Sequence, residues 1–152
     1  MNRSGDSDSM VNRHDQLQIQ GRVVIDGSAT ATIRKSNEPL SFWGGFDQAT
    51  GEIIDRRHPL SGVMGAGCIL AIPFTRGSST TTSILIEAVR ARVAPAGIIT
   101  TEVDAFLALA SIVADEMYDA SFPVLSVDQD AFDKIVDGSR ARIHRGGRIT
   151  FL

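Results

Sequence analysis

The chain has 152 residues, of which 43% are hydrophobic and 22% are charged. This length allows one domain with a sizeable core and is too short for two ordinary domains. The formal net charge is −3, and acidic and basic residues are scattered through the chain. Such a distribution favours neither a nucleic-acid partner nor a strongly basic binding surface.

Residues 1–16 differ in composition from the rest of the chain. They are rich in Ser, Asp, Asn and Arg and contain no apolar run of the kind found in a signal peptide. We interpret residues 1–16 as a flexible N-terminal arm and residues 17–152 as a single domain. No later segment approaches the roughly 20 consecutive apolar residues of a membrane span. We therefore expect a cytoplasmic protein with no membrane partner.

A single cysteine, Cys68, lies within an apolar run. One cysteine cannot form an internal disulfide and cannot by itself hold a metal cluster. We interpret Cys68 as a buried, small hydrophobic side chain. Because no second Cys or His stands at metal-ligand spacing, the sequence predicts no metal bound by this chain.

The first half of the chain contains two predicted strands and a long loop. Alternating apolar residues predict strands at 17–25 and 29–35, joined by a turn at 26–28. Residues 36–67 are rich in glycine and predict little regular structure beyond a short strand at 52–55. The apolar residues in this segment nevertheless argue against disorder, so we expect an ordered, functional loop.

The second half alternates strands and helices. The patterns predict strands at 68–72, 97–100 and 123–127, helices from 83 to about 93, at 104–118 and at 129–136, and terminal β segments at 139–144 and 148–152. The last two segments turn at Gly146 and Gly147. β segments on both sides of a βαβαβ unit favour an α/β domain with a barrel-like or three-layer arrangement over a doubly wound sheet.

A strand, a glycine turn and a helix start meet at residues 73–80. Backbone N–H groups at a helix start lack intrahelical acceptors, and the helix dipole favours an anion or a serine alkoxide there. Ser78 or Ser79 can cap the helix, and a turn that binds phosphate would have the same pattern. Alternatively one hydroxyl acts as a base or nucleophile, its pKa lowered by Arg76 and the helix start. The residues alone leave these alternatives open.

Two further segments carry candidate functional side chains. Residues 41–46 put three aromatic side chains beside Gly44 and Gly45, a pattern that fits either a pocket wall or a local hydrophobic cluster. Asp55 and His58 are three residues apart and fit either an oriented acid/base pair or a solvated turn. The carboxylates of Glu102, Asp104 and Asp128 stand where helices begin, so we interpret them as helix caps.

Taken together, three motifs resemble the small subunit of aconitase X: PLSFWGG at 39–45, GEIIDRRHPLSG at 51–62 and RGSST at 76–80. The resemblance covers residues 21 to about 127. It implies an α/β fold of the aconitase-like swivelling β/β/α type, with a mixed sheet or barrel-like core, two main helices and a short third. It also implies a separate chain that closes over an aconitase X large subunit, as a heterodimer or larger assembly.

The resemblance implies a role for each matched residue in a hydro-lyase that is inactive without its large subunit. Ser78 would remove the proton α to the carboxylate of a small substrate. The implied substrate-binding residues are Arg76, Gly77, Ser79, Thr80, Ser41, Trp43, Gly44, Gly45, Asp55 and His58. Iron or an iron–sulfur cluster would be held by the large subunit, and this chain would bind no cofactor.

Proteins that the chain resembles have two activities. One group dehydrates cis-3-hydroxy-L-proline to Δ1-pyrroline-2-carboxylate, and the other dehydrates (R)-5-phosphomevalonate. The polar N-terminal arm and the Phe42-Trp43 pair favour the first. The alternatives are the phosphomevalonate enzyme and a non-catalytic closure or anion-binding module.

Overall fold

A computed structural model of the protein describes residues 17–152, and the predicted N-terminal arm lies outside the described residues. The strands are β1 (Gln18–Gln20), β2 (Arg22–Ile25), β3 (Ala29–Lys35), β4 (Leu40–Ser41), β5 (Ile69–Ala71), β6 (Thr75–Arg76), β7 (Gly97–Thr100), β8 (Val124–Ser126), β9 (Arg140–Ile143) and β10 (Arg148–Phe151). The helices are a single turn α1 (Phe42–Gly45), the long helices α2 (Ser78–Arg90) and α3 (Ala105–Tyr118), and the short helix α4 (Gln129–Lys134).

Eight strands form one mixed sheet that nearly closes into a barrel. Its order is β1-β10-β9-β3-β5-β7-β8-β2, in which β3, β5, β7 and β8 are parallel and the other pairs are antiparallel. The two outermost strands, β1 and β2, are consecutive in the chain and separated only by Gly21. The prediction of a barrel-like α/β core with two main helices and a short third is therefore confirmed.

Residues 22–25 and 29–35 are strands joined by residues 26–28, as predicted, but they do not pair with each other. The predicted strand at 17–25 divides at Gly21 into β1, which pairs with β10, and β2, which pairs with β8. At this division the Gly21 amide donates to the carbonyl of Gly147 at 2.8 Å. A Cβ on Gly147, whose φ is 94°, would lie 2.6 Å from the Gly21 carbonyl oxygen, so the approach requires glycine. The alternation of apolar residues predicted that this segment is extended, but it did not predict which strands pair with it.

The sheet separates two apolar clusters. Inside the barrel lie residues that include Ile33, Ile69, Ile99, Leu125 and Ile143. The neighbouring residues Leu70, Ile98 and Val124 face outward and pack with Leu85 and Ala88 of α2 and Leu107 and Ala110 of α3. Because successive residues of a strand point to opposite faces, the fully buried strands β5, β7 and β8 are covered on both sides, as expected of parallel strands packed under helices.

Two of the three predicted carboxylate caps are confirmed, and the third residue, Glu102, lies two positions before the cap position of α3. Asp104 accepts hydrogen bonds from the amides of Phe106 and Leu107 at the start of α3, and Asp128 accepts one from Ala131 at the start of α4. At α2 no serine caps the helix, because the helix begins at Ser78 and its cap position is Gly77. The last helical residue of α2 is Arg90, and α4 ends at Lys134, two residues before the predicted Val136.

The segment 36–67 is ordered, as predicted, by its own side chains. Leu40, Phe42, Phe46 and Ile53 are each at most 3% exposed and belong to the cluster beneath the helices. The predicted strand at 52–55 is reduced to single bridges, from Phe46 to Ile53 and from Glu52 to Met64. These contacts fix the loop beside the start of α2.

Candidate functional site

The serine turn at Gly77 and Ser78 has an unusual backbone. Gly77 has φ 114° and Ser78 has φ 50°, a positive value that few non-glycine residues adopt. Ser78, Ser79 and Thr80 form the first turn of α2 and are all exposed. Since Ser78 does not cap the helix, its hydroxyl is presented to solvent beside N–H groups that have no intrahelical acceptor.

A two-stranded parallel sheet joins the aromatic loop to the serine turn. In it Leu40 pairs with Thr75 and Ser41 pairs with Arg76, although 35 positions separate each pair. The Ser41 hydroxyl donates to the Trp43 carbonyl at 3.0 Å. A Cβ built on Gly77 would lie 3.6 Å from that hydroxyl oxygen. Two of the motifs identified in the sequence thus meet at one point.

The aromatic loop is partly core and partly open surface. Phe42 is fully buried and packs against Phe46 with ring centroids 5.2 Å apart and the rings tilted by 45°, whereas Trp43 is 68% exposed. Gly44 has φ 76° and open space on its side-chain side, and Gly45 lies buried against Leu40 and Asp55. The sequence left a pocket wall and a hydrophobic cluster as alternatives, and the loop contains both an anchored aromatic pair and an exposed indole.

The motif at 51–62 is attached to the aromatic loop through a backbone hydrogen bond. The Ile54 amide donates to the Gly45 carbonyl at 2.9 Å. Asp55 then accepts from the Arg57 amide at 3.0 Å, which forms a tight turn. His58 is 6% exposed; its Nδ1 accepts from the Leu60 amide at 3.1 Å, and its Nε2 faces the Glu38 carbonyl at 3.3 Å. Both ring nitrogens are therefore engaged with backbone, and the structure does not pair His58 with Asp55.

An open cleft of about 320 Å³ gathers residues from all three motifs. Its lining is Glu38, Pro39, Asp55, Arg57, His58 and Arg76. Sequence analysis identified Asp55, His58 and Arg76 but not Glu38 or Arg57. The cleft is lined by two arginines and two acidic residues, so its charge is balanced, and either guanidinium can donate charge-assisted hydrogen bonds to a carboxylate or phosphate. The adjacent arginines in DRRH were the available signal for Arg57.

Threonine hydroxyl groups around the serine turn form hydrogen bonds that connect it to neighbouring elements. The Thr75 hydroxyl donates to the Asp104 carboxylate, and the Thr80 hydroxyl donates to the Gly77 carbonyl. Thr82 is buried and donates to the Phe106 carbonyl of α3 at 2.9 Å. Hydrogen bonds therefore connect both sides of the serine turn to α3, and the hydroxyl-bearing residues Ser78 and Ser79 remain exposed.

The donor groups of the described residues do not fit an iron site. No group of three His, Cys, Asp or Glu side chains within residues 17–152 converges as metal ligands do. Cys68 lies away from the serine turn, in a cleft lined by Thr32, Arg34 and Arg140, and burial raises its thiol pKa to about 11. A protonated thiol is a poor metal ligand. None of the helices in this range combines the length and apolarity needed to cross a membrane.

A nearly closed mixed barrel, covered on one side by two helices and carrying an exposed serine turn at the start of the first, defines a swivel-type α/β domain. Comparison with known families makes the assignment specific. The family model described as the aconitase X swivel domain matches residues 18–151, and the chain belongs to this family.

Known proteins of two kinds are similar to the chain. It is 42% identical over 134 residues to a cis-3-hydroxy-L-proline dehydratase of Pseudomonas aeruginosa, covering 88% of this chain and 23% of that protein. It is 33% identical over 129 residues to the phosphomevalonate dehydratase small subunit of Methanothermobacter thermautotrophicus, covering 84% of this chain and 98% of that subunit. The crystal structure of Thermococcus kodakaraensis aconitase X in its holo-form superposes with a TM-score of 0.79 at 28% identity, covering 90% of this chain and 98% of that one.

The two kinds of relative differ in length. The chain spans about a quarter or less of the cis-3-hydroxy-L-proline dehydratases that it matches, 23% in Pseudomonas aeruginosa and 21% in Hypocrea jecorina. It spans nearly the whole of the Methanothermobacter small subunit. The same domain therefore occurs both within a longer chain and as a subunit of its own.

Proposed function

We propose that this chain is the swivelling, small-subunit part of an aconitase X hydro-lyase and contributes Ser78 to an active site that a larger partner completes. The observation that carries this proposal is the exposed, positive-φ serine turn joined by β4 and β6 to the aromatic loop. Ser78 and Ser79 are exposed and neither caps α2, so their hydroxyls are available to a substrate held between two bodies. The family membership makes dehydration the reaction to test.

Ser78 is proposed as the base that takes the proton α to the substrate carboxylate. For this its hydroxyl must lose its own proton, and the alkoxide must be stabilised. Unpaired N–H groups at the start of α2 and the guanidinium of Arg76 supply positive potential at the turn. Gly77 supports this arrangement because its φ of 114° turns the chain from β6 directly into the helix. The α-proton moves from the substrate carbon to the Ser78 oxygen, and the β-hydroxyl leaves as hydroxide, so that the proton and the hydroxide together make up the water removed. Iron on the larger partner would supply the Lewis acid for departure of the hydroxide.

Substrate orientation is proposed to come from both sides of the turn. Ser79 and Thr80 present hydroxyls on the first turn of α2, while Arg76 and Arg57 line the cleft and can bind a carboxylate. Ser41, Gly44 and Gly45 shape the neighbouring loop, and the exposed Trp43 can cover an apolar ring. Asp55 and His58 act in this proposal as cleft walls; the ring of His58 is held by backbone and moves no proton.

The proposed substrate is cis-3-hydroxy-L-proline, with Δ1-pyrroline-2-carboxylate as product. Support comes from 42% identity over 88% of this chain with a dehydratase of that name. A second candidate is phosphomevalonate, because the chain matches a phosphomevalonate dehydratase small subunit over 98% of its length. Iron or an iron–sulfur cluster would be held by the larger partner, in a cytoplasmic heterodimer or larger assembly.

Activity of the reconstituted pair tests the proposal. We would purify the full chain with the larger aconitase X subunit from the same organism and assay both substrates. Dehydration of cis-3-hydroxy-L-proline by the pair, and by neither chain alone, is the expected result. Preference for phosphomevalonate would select the second candidate. A pair that dehydrates neither compound, or a chain that binds a carboxylate equally well without its partner, would contradict the proposal.

A further inference from the structure

The helix α3 exposes more apolar surface than its packing requires. Its buried residues, Leu107, Ala110, Ser111 and Ala114, occupy one side. Five large apolar side chains next to that side are between 39% and 58% exposed: Val103, Phe106, Leu109, Ile112 and Met117. We call these five residues the α3 apolar face. The four that lie within the helix fall inside an arc of about 140°, at about 100° per residue.

Such a surface is unusual for a protein that remains alone. Single exposed apolar residues are common, but contiguous apolar patches on soluble proteins mark interaction sites. Here the residues follow one another along a helix of 14 residues. A partner that covers these large side chains would remove their apolar surface from water, which favours binding.

The start of the α3 apolar face is linked by hydrogen bonds to the elements on both sides of the serine turn. Its first residue, Val103, precedes Asp104, whose carboxylate accepts from Thr75 in the strand that leads into the turn. Its second, Phe106, accepts through its carbonyl from Thr82, one turn into α2. These two bonds hold the start of the α3 apolar face beside the strand and the helix that carry Ser78.

The charges around the face indicate the chemistry of its partner. Residues 93–133 contain no Lys, Arg or His. Glu102 and Asp119 border the face and Glu116 lies within its arc, and all three are exposed. Arg22, from β2, lines a cleft with Val103 at the start of the face. A complementary surface is apolar at its centre and carries Lys or Arg at its edge. A second copy of this chain fits poorly, because two copies would bring these carboxylates together.

We infer that the α3 apolar face is the docking surface for the larger aconitase X subunit, which contacts it through apolar side chains with a basic rim. This inference rests on the proposed function. In the Pseudomonas and Hypocrea relatives more than three quarters of the protein lies outside the region that matches this chain, which agrees with a larger partner. Docking along α3 also explains why the serine turn is open in this chain.

The test places charge on the face without touching the serine turn. Leu109 and Ile112 are 47% and 50% exposed, so the double variant Leu109→Asp, Ile112→Asp changes surface and not core. Leu109→Gln, Ile112→Gln is a second variant that retains helix-forming residues. The matched control is Met64→Asp, Val136→Asp, which alters two apolar residues that are 53% and 66% exposed and not on α3.

Binding of each full-length variant to the larger subunit is measured by calorimetry, after circular dichroism shows an unchanged fold. We expect the Asp variant to raise Kd by about 30-fold or more and the Gln variant to raise it less, because a charge facing an apolar partner is left unpaired. The control should bind within about threefold of the wild type. With the larger subunit in excess, turnover of the Gln variant should approach the wild-type value.

Two results would overturn the docking surface and leave the proposed function standing: wild-type affinity in both α3 variants, and loss of self-association with unchanged partner binding. If the wild type does not bind the larger subunit, the docking surface and the proposed function both fail. If the wild-type pair associates but dehydrates neither substrate, the proposed function fails while the affinities still judge the docking surface.

Discussion

The hydroxyl of Thr75 donates to the carboxylate of Asp104, whose other oxygen caps α3. One carboxylate thus connects the strand before the serine turn to the helix on its far side. The connection holds Arg76 and Gly77 in register with α3 without using a residue of the turn itself. The orientation of the candidate base therefore depends on a helix cap that lies 26 positions later in the chain.

Replacing Asp104 by Ala should cost more stability than replacing an ordinary cap. We expect the free energy of unfolding to fall by about 2 kcal/mol, from the lost cap and the lost hydrogen bond to Thr75. Asp128→Ala is the matched control, because Asp128 caps α4 through the Ala131 amide alone, and it should cost about 1 kcal/mol. Urea unfolding followed by circular dichroism measures both. Equal losses would show that the bond to Thr75 contributes nothing.

The glycine at the helix start should tolerate a side chain less well than the glycine in the aromatic loop. Gly77 has φ 114° and an added Cβ would lie 3.2 Å from the Thr80 hydroxyl, whereas Gly44 has φ 76° and open space. Gly44→Ala should cost about 1 kcal/mol, the strain of a left-handed backbone. Gly77→Ala should cost about 1 kcal/mol more, because its φ lies farther from the left-handed basin near about +57°. Thermal or urea unfolding of the two variants checks the order, and an equal cost would contradict it.

The thiol of Cys68 should be unreactive in the folded protein. Burial raises its pKa from 9.0 to about 11, so at neutral pH it holds about 100-fold less thiolate than in the unfolded chain. Alkylation by iodoacetamide should be slower in buffer than in urea by at least that factor. Because the folded pKa is the higher one, the contribution to stability is complete below pH 9.0 and is lost as the pH rises towards about 11. A Cys68→Ala variant should lack this part of the alkaline loss. Equal alkylation rates in buffer and urea would refute the buried thiol.

His58 should exist as one neutral tautomer. Its Nδ1 accepts from the Leu60 amide, so the proton must be on Nε2, which donates to the Glu38 carbonyl. Long-range ¹H–¹⁵N NMR spectra of the full chain should show a protonated Nε2 and an unprotonated Nδ1. His144 is a useful reference in the same spectrum, because its Nε2 bonds the Thr150 hydroxyl and not a carbonyl. The opposite tautomer at His58 would mean that its backbone contacts are not those described.

Local pattern predicted most elements but not all of their pairing. The parallel strands and α3 follow directly from short apolar runs and from a cap followed by apolar residues at helical spacing. Alternation in residues 17–25 could not reveal that Gly21 divides the strand between the two edges of the sheet. The division depends on a hydrogen bond from Gly21 to the carbonyl of Gly147, which is 126 positions away. Sequence identified the apolar residues of α3 without showing that Leu109 and Ile112 remain exposed.

The same limit applies to the candidate site. The residues alone singled out Ser78, the aromatic loop at 41–46 and the Asp55/His58 pair as candidates but left their roles open, and only the family resemblance assigned them to a substrate site. The sequence could not show that Ser41 lies beside Arg76, since a parallel pair of two-residue strands leaves no periodic pattern. Nor could it show that both nitrogens of His58 bond the backbone, which depends on a carbonyl 20 positions earlier. Long-range backbone contacts are the part that composition and spacing do not encode.

The central claim is that Ser78 acts on the substrate instead of capping α2, and Ser78→Ala tests it most directly. The variant is purified with the larger subunit and compared with Ser83→Ala, which removes an exposed hydroxyl from the same helix outside the turn. We predict normal assembly for both, a fall in kcat of at least about 100-fold for Ser78→Ala, and little change for Ser83→Ala. Turnover of Ser78→Ala close to the wild-type rate would contradict the claim and reduce the turn to a structural element.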